Sequence, residues 1–80
     1  MKLSELRPGQ SGIVSELCQK AIVSGRLMEM GLIPGEVVEV IRRAPFGDPV
    51  EYRIRGVRIS MRSSDASCVT VVPVSERVPA

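Results

Sequence analysis

Few groups in this chain could do covalent or metal chemistry. There are two cysteines, Cys18 and Cys68, and no histidine. Without His, the commonest ligand for zinc, nickel or copper is missing, and so is the usual general base. The cysteines form no Cys-x-x-Cys pair, so their spacing carries neither a zinc motif nor a redox motif. Thiolates combined with Glu16, Asp65 or a methionine would be soft enough to hold iron or zinc. Nothing in the spacing of these residues gathers them into a site. No Ser/His, Cys/His or paired-carboxylate arrangement occurs, and no glycine-rich phosphate loop follows a strand. The residues point to a binding module and not to an enzyme.

The second chemically suggestive set is basic: Arg53, Arg55, Arg58 and Arg62, with Arg42 and Arg43 on a neighbouring segment. A phosphate-binding surface would use such a face. No aromatic residue is interleaved for base stacking, because Tyr52 falls in register with the apolar positions. Nucleic acid is therefore not expected. The arginines either form a solvated face that discourages edge pairing or steer the domain toward an acidic protein or lipid surface.

The elements that must position these groups are short. Eighty residues make one domain, and a chain of this size buries only roughly 60% of its unfolded surface. One Tyr and one Phe are the only aromatics, so Val, Ile, Leu and Met must build the core. The net charge of +2 excludes nothing by itself. No apolar run is long enough to span a membrane, so no insertion is expected. The opening residues, MKLSELRPG, lack the apolar heart of a signal peptide. A cytoplasmic location follows as the expectation, and with it two reduced thiols.

Along the chain, Leu3 and Leu6 share a face of an opening helical turn, and Arg7-Pro8-Gly9-Gln10 reads as a tight turn. Ser11 to Leu17 is a strand candidate. Residues 20–30 read as a helix, with Val23, Leu27 and Met30 on one core-facing stripe. Gly25 weakens this helix by about 1 kcal/mol relative to Ala, so Ser24 is the expected N-cap. Gly31 suits the left-handed position after the last turn, and Pro34 blocks continuation. Met28 lies one position off the stripe, and an adaptable apolar group left beside a helix end suits a contact surface.

Residues 36–43 read as a strand. The segment 44–49, with two prolines and Gly47, is a stiff loop that serves either function or the chain reversal alone. Val50, Tyr52 and Ile54, then Val57, Ile59 and Met61, alternate with polar residues around Arg55-Gly56, which is a tight hairpin. Ser63 to Ala66 forms one helical turn. A last strand, Cys68 to Val72, is expected to end at Pro73, and 74–80 is expected to be a disordered tail. The sum is a mainly β fold, a small antiparallel barrel of about five strands with one inserted helix.

RLMEMGLIPG, then EVVEVIRRAPFGDPVEYRIRGVRISMR, then SSDASCVTV, resembles the FeoA family over about residues 3 to 72. The matching positions are Leu3, Leu6 and Gly9; then Arg26, Leu27, Met30, Gly31, Pro34 and Gly35; then Ala44, Pro45, Gly47, Asp48 and Pro49; then Arg62 and Ala66. The resemblance implies an SH3-like barrel over residues 1–73. It implies a non-enzymatic accessory role in bacterial ferrous iron uptake, contacting a FeoB-type permease and its cytoplasmic G-domain. A family association with transition metals, iron or zinc, comes with it, without ligands that this sequence can name. The same domain type closes the diphtheria-toxin-repressor-like regulators, so a metal-responsive regulatory domain is the alternative. The resemblance and the leftover Met28 together place the partner contact at Arg26, Leu27, Met28, Met30 and Leu32. Exposed strand edges leave room for a homo-oligomer.

Overall fold

The strictest alternation in the sequence gives the most regular element, a hairpin. In the computed structural model, which describes residues 1–74, β3 (Val50–Ile54) and β4 (Val57–Met61) pair with Tyr52 opposite Ile59. Arg55 and Gly56 join them with φ of 53° and 78°. Two successive positive φ values match the right-handed twist of the flanking strands. Val50, Tyr52 and Ile54 are all buried as their spacing predicts. On β4 only Met61 is buried, and Val57 is largely exposed. An outer strand has core neighbours on one side only, so the same alternation buries less there.

The remaining strands are β1 (Ser11–Leu17), β2 (Val37–Arg43) and β5 (Val69–Val74), with α1 (Ala21–Glu29) between β1 and β2 and a short α2 (Ser63–Ala66) before β5. All pairings are antiparallel, in the order β4-β3-β2-β1-β5. Among the described residues the expected barrel is thus not closed by hydrogen bonds, and β4 and β5 are its edges. The chain start covers part of the β5 edge: the Val71 N–H donates to the Met1 carbonyl at 2.8 Å. Pro73 does not end β5, correcting the expected boundary; it pairs with Gly12, and an edge strand tolerates its missing N–H. The expected tail lies, beyond Val74, outside the described residues.

The core is Leu3, Leu6, Val14, Val38, Val40 and Tyr52 with their neighbours, closed on one side by Leu27 of α1. Tyr52 is among its largest members, and burial raises its phenol pKa above the ordinary value. The helix begins earlier than the Ser24 cap predicts. Lys20 occupies the cap position with no side-chain cap bond, and the Ser24 hydroxyl donates back to the Ala21 carbonyl at 3.3 Å.

Candidate partner interface

The end of α1 is fixed by its backbone. The Leu32 N–H donates to the Leu27 carbonyl at 3.1 Å and the Gly31 N–H to the Met28 carbonyl at 3.0 Å. This wrap satisfies carbonyls that the last turn leaves free. Gly31 takes φ of 107°, and a Cβ there would stand 3.3 Å from Ile54 Cγ2. The helix stop therefore sits directly on β3.

That geometry separates the five residues predicted for partner contact. Leu27 and Leu32 are buried in the core and seat the turn. Met30 is half-buried against the same core. Arg26 and Met28 face outward, and Met28 is 45% exposed. Ile33, two residues past the Gly31 stop, joins them at the surface at 39%. Arg26 reaches Asp65 of α2 at 3.4 Å, tying the helix to the α2–β5 corner.

The basic hairpin is not a free cationic patch. Arg42 and Arg58 lie 3.4 and 3.8 Å from Glu51 Oε1, Arg53 lies 3.3 Å from Glu39, and Arg55 lies 2.6 Å from Glu36. The Arg55 hydrogen bond holds the Glu36 carboxyl below its ordinary pKa. These arginines could neutralise phosphates only by giving up carboxylates. Signals for the pairing were present in Glu36, Glu39 and Glu51. Reading them required the register, in which Glu39 stands opposite Arg53 and Arg42 opposite Glu51.

The loop between β2 and β3 is a brace. Asp48 accepts hydrogen bonds from the Ser63 N–H at 3.0 Å and from the Ser63 hydroxyl, so a residue of the loop caps α2. Those bonds hold the Asp48 pKa below its ordinary value. The Ala44 N–H donates to the Pro49 carbonyl and the Gly47 N–H to the Ala44 carbonyl. Phe46 at the tip is 99% exposed.

A further surface escaped the sequence reading. Ile13 pairs with Val37 on one side and Val72 on the other, and all three point outward and are exposed. The available signal was the doubled valine, Val37-Val38 and Val71-Val72, which puts an apolar residue on both faces of a strand.

The reduced-thiol expectation is corrected. Cys18 and Cys68 form a disulfide, with Cα atoms 4.9 Å apart. The pairing of Leu17 with Val69 carries the end of β1 to the start of β5, and the Cys18 N–H donates to the Cys68 carbonyl at 2.7 Å. No group of three or more His, Cys, Asp or Glu side chains is placed to hold a metal ion among the described residues. With both sulfurs bonded to each other, the donor set among the described residues does not fit a resident iron or zinc ion.

A small five-stranded antiparallel sheet with a helix inserted after its first strand defines an SH3-like domain. The FeoA domain model matches residues 1–73, and the chain belongs to the FeoA family. It is 35% identical over 75 residues to a Fe(2+) transport protein A/Fe(2+) transporter FeoB fusion protein of Porphyromonas gingivalis, covering 94% of this chain. The chain spans only 9% of that relative's length. The solution structure of the Chlorobium tepidum FeoA protein superposes with a TM-score of 0.86 at 39% identity, over 94% of this chain and 71% of that one. The Stenotrophomonas maltophilia FeoA, a procaryotic SH3 domain protein complexed with zinc, gives 0.79 at 31% identity, over 89% and 88%. A manganese-dependent transcriptional repressor shares the fold alone, with a TM-score of 0.83 at 19% identity over 91% of this chain and 40% of its own.

Proposed function

We propose that this chain is a cytoplasmic, non-enzymatic accessory module of bacterial ferrous iron uptake, and that it docks on the G-domain of a FeoB-type permease through the end of α1. Met28 and Arg26 make the contact, Ile33 and the rim of Met30 extend it, and Leu27 and Leu32 hold the surface in place from below. The observation that carries this reading is the exposure of Met28 on a helix end whose closing turn is hydrogen-bonded to itself and set against Ile54 of β3. An unbranched thioether held on a fixed frame adapts to an apolar partner surface at little ordering cost. The Porphyromonas gingivalis relative adds support, because fusion to a transporter keeps such a domain at high effective concentration beside it.

The module acts on transport by binding one state of the permease better than another; equal affinity for all states would shift nothing. Metal is left out of this mechanism, since the donor set among the described residues does not fit one. Binding of the isolated G-domain, measured by calorimetry, tests the reading. Met28→Asp, with its strand and helix content checked by circular dichroism, is expected to weaken binding by at least about tenfold. Undiminished affinity in a folded Met28→Asp protein rejects this surface.

A further inference from the structure

The Cys18–Cys68 disulfide stands where the fold gives α1 its least support. At its C-terminal end the helix is held by buried Leu27 and by the Gly31 turn. Toward its N-terminus no residue is fully buried, and Ile22 is 84% exposed. A helix of nine residues carrying Gly25 does not persist on its own propensity. From this half the part-buried Val23 packs against the core, and two ties link the helix as a whole to the α2–β5 corner. One is the exposed Arg26–Asp65 pair, a weak contact in salt. The other is the disulfide, whose Cys18 lies three residues before the first residue of α1.

The disulfide also lines a cleft of about 270 Å³, together with Lys20, Val23 and Asp65. Cys68 is buried and Cys18 is partly exposed, so Cys18 is the more accessible of the two to an incoming reductant. Of the charged residues lining the cleft, Lys20 favours an incoming thiolate, and the carboxylate of Asp65 is engaged by Arg26. We infer that this disulfide is a reducible clasp: a small dithiol or a dithiol-bearing reductant opens it in the cleft, and its state sets the order of the first turns of α1. One thiolate of the reductant attacks the Cys18 sulfur, the S–S bond breaks, and Cys68 leaves as a thiolate that takes a proton from water. The second thiolate then attacks the reductant's own sulfur in the mixed disulfide. It closes the reductant's disulfide and frees Cys18, which is protonated in turn. Two electrons pass to the protein, and the dithiol ends oxidised. Resting on the reading that α1 carries the partner contact, the clasp makes that contact sensitive to thiol redox state. The oxidised form presents an ordered helix and the reduced form a loosened one.

Backbone ¹⁵N relaxation on the full chain, before and after dithiothreitol in native buffer, tests the clasp. Order parameters at Ala21–Gly25 are expected to fall from the rigid range near ~0.85 to below ~0.6, while Val50–Ile54 stays rigid. The paired Cys18→Ala, Cys68→Ala variant is expected to reproduce the reduced pattern without reductant. The clasp is overturned if dithiothreitol leaves the disulfide intact until denaturant is added. Rigid residues 21–25 in the reduced protein, or order lost across the whole sheet, overturn it as well. The same two forms are then titrated with the permease G-domain, and reduction is expected to weaken binding about tenfold, as a tenfold fall in the ordered fraction requires. Equal binding by both forms, with α1 loosened, overturns the control of the contact. Absence of binding in either form overturns the docking reading instead, and the order parameters still decide the clasp.

Discussion

The β2–β3–β4 flank and the α1 flank solve the same problem, holding a short element on a thin core, with different physics. On the sheet flank, three residues of β3 are buried in alternation, and the outer face is laced by Arg–Glu pairs set directly across or diagonally between strands. Every strand there has a backbone ladder as well. The helix flank has one fully buried side chain, the part-buried Val23 and Met30, one exposed ion pair and one covalent tie. Many small contacts make the first flank insensitive to the loss of any exposed one, because each surface pair contributes only about 0–1 kcal/mol. Concentrating support in few contacts makes the second flank separable from the sheet. In the loop-entropy picture a crosslink over a separation of 50 residues contributes about 4 kcal/mol, comparable to the largest single core side chain.

The sharpest way to break this comparison is to remove the central anchor of each flank. Tyr52→Ala is expected to destabilise the protein by about 4 kcal/mol, and Leu27→Ala by about 3 kcal/mol. The distribution of the loss matters more than its size. Urea unfolding of the Tyr52 variant, followed by circular dichroism and by Tyr-independent amide probes, should show one cooperative transition at a lower midpoint. In the Leu27 variant the amides of Ser24–Leu27 should lose protection before those of β3. Coincident loss in both variants would mean that the helix and sheet are one cooperative unit, and the contrast drawn here would fail.

A smaller effect is expected where the two flanks meet. Gly31 lies at the end of the helix and against Ile54 of β3. Gly31→Ala would place a Cβ 3.3 Å from Ile54 Cγ2 and force a left-handed φ on an L-residue. A loss of about 1–2 kcal/mol is expected from the backbone alone. Thermal unfolding measures the loss. If Gly31→Ala also lowers affinity for the G-domain, the helix stop positions Met28; a stability loss with unchanged affinity would separate folding from docking.

How much of this could be read from residues follows the same division. The β3–β4 hairpin was legible because a period of two, a two-residue turn and an apolar face all sit within a dozen positions. The Gly31 stop was legible because a left-handed cap and Pro34 are local requirements. The Arg–Glu pairs were not, because they depend on register, and a bulge between Val40 and Arg42 shifts it. The Ile13–Val37–Val72 row depends on three strands meeting. The disulfide was missed for a different reason: its partners meet only through the β1–β5 pairing, and compartment logic argued for free thiols. Burial of Leu27, which its place on the helical stripe already indicated, and of Leu32, which lies past the helix where periodicity gives no guide, divided a contiguous predicted site into a surface and its support.

The smallest expected effects concern charge, and acid separates its two forms. Glu36 and Asp48 both have depressed pKa values, the first through the Arg55 hydrogen bond and the second through the bonds from Ser63. A depressed carboxyl stabilises the fold fully above its unfolded value, and that stability is lost as pH falls through the lower folded value. Titrating from neutral pH, stability should stay level until the ordinary values of 4.5 and 3.8 are approached, then decline below them. Glu36→Gln should remove the part of the decline that begins first. Asp48→Asn, which keeps an oxygen for the Ser63 N–H but loses the charge, should lower stability at neutral pH by the share that acid would otherwise remove, and so remove the later part. High salt divides them again. The Glu36–Arg55 pair lies on the sheet surface and is screened, so its share should shrink at about 1 M salt. The Asp48 cap on α2 is a set of short hydrogen bonds between a loop and a helix start, so its share should persist. Equal salt sensitivity of the two would show that the brace is held by long-range charge and not by local bonds, and would move the loop to the same footing as the ion-paired sheet face.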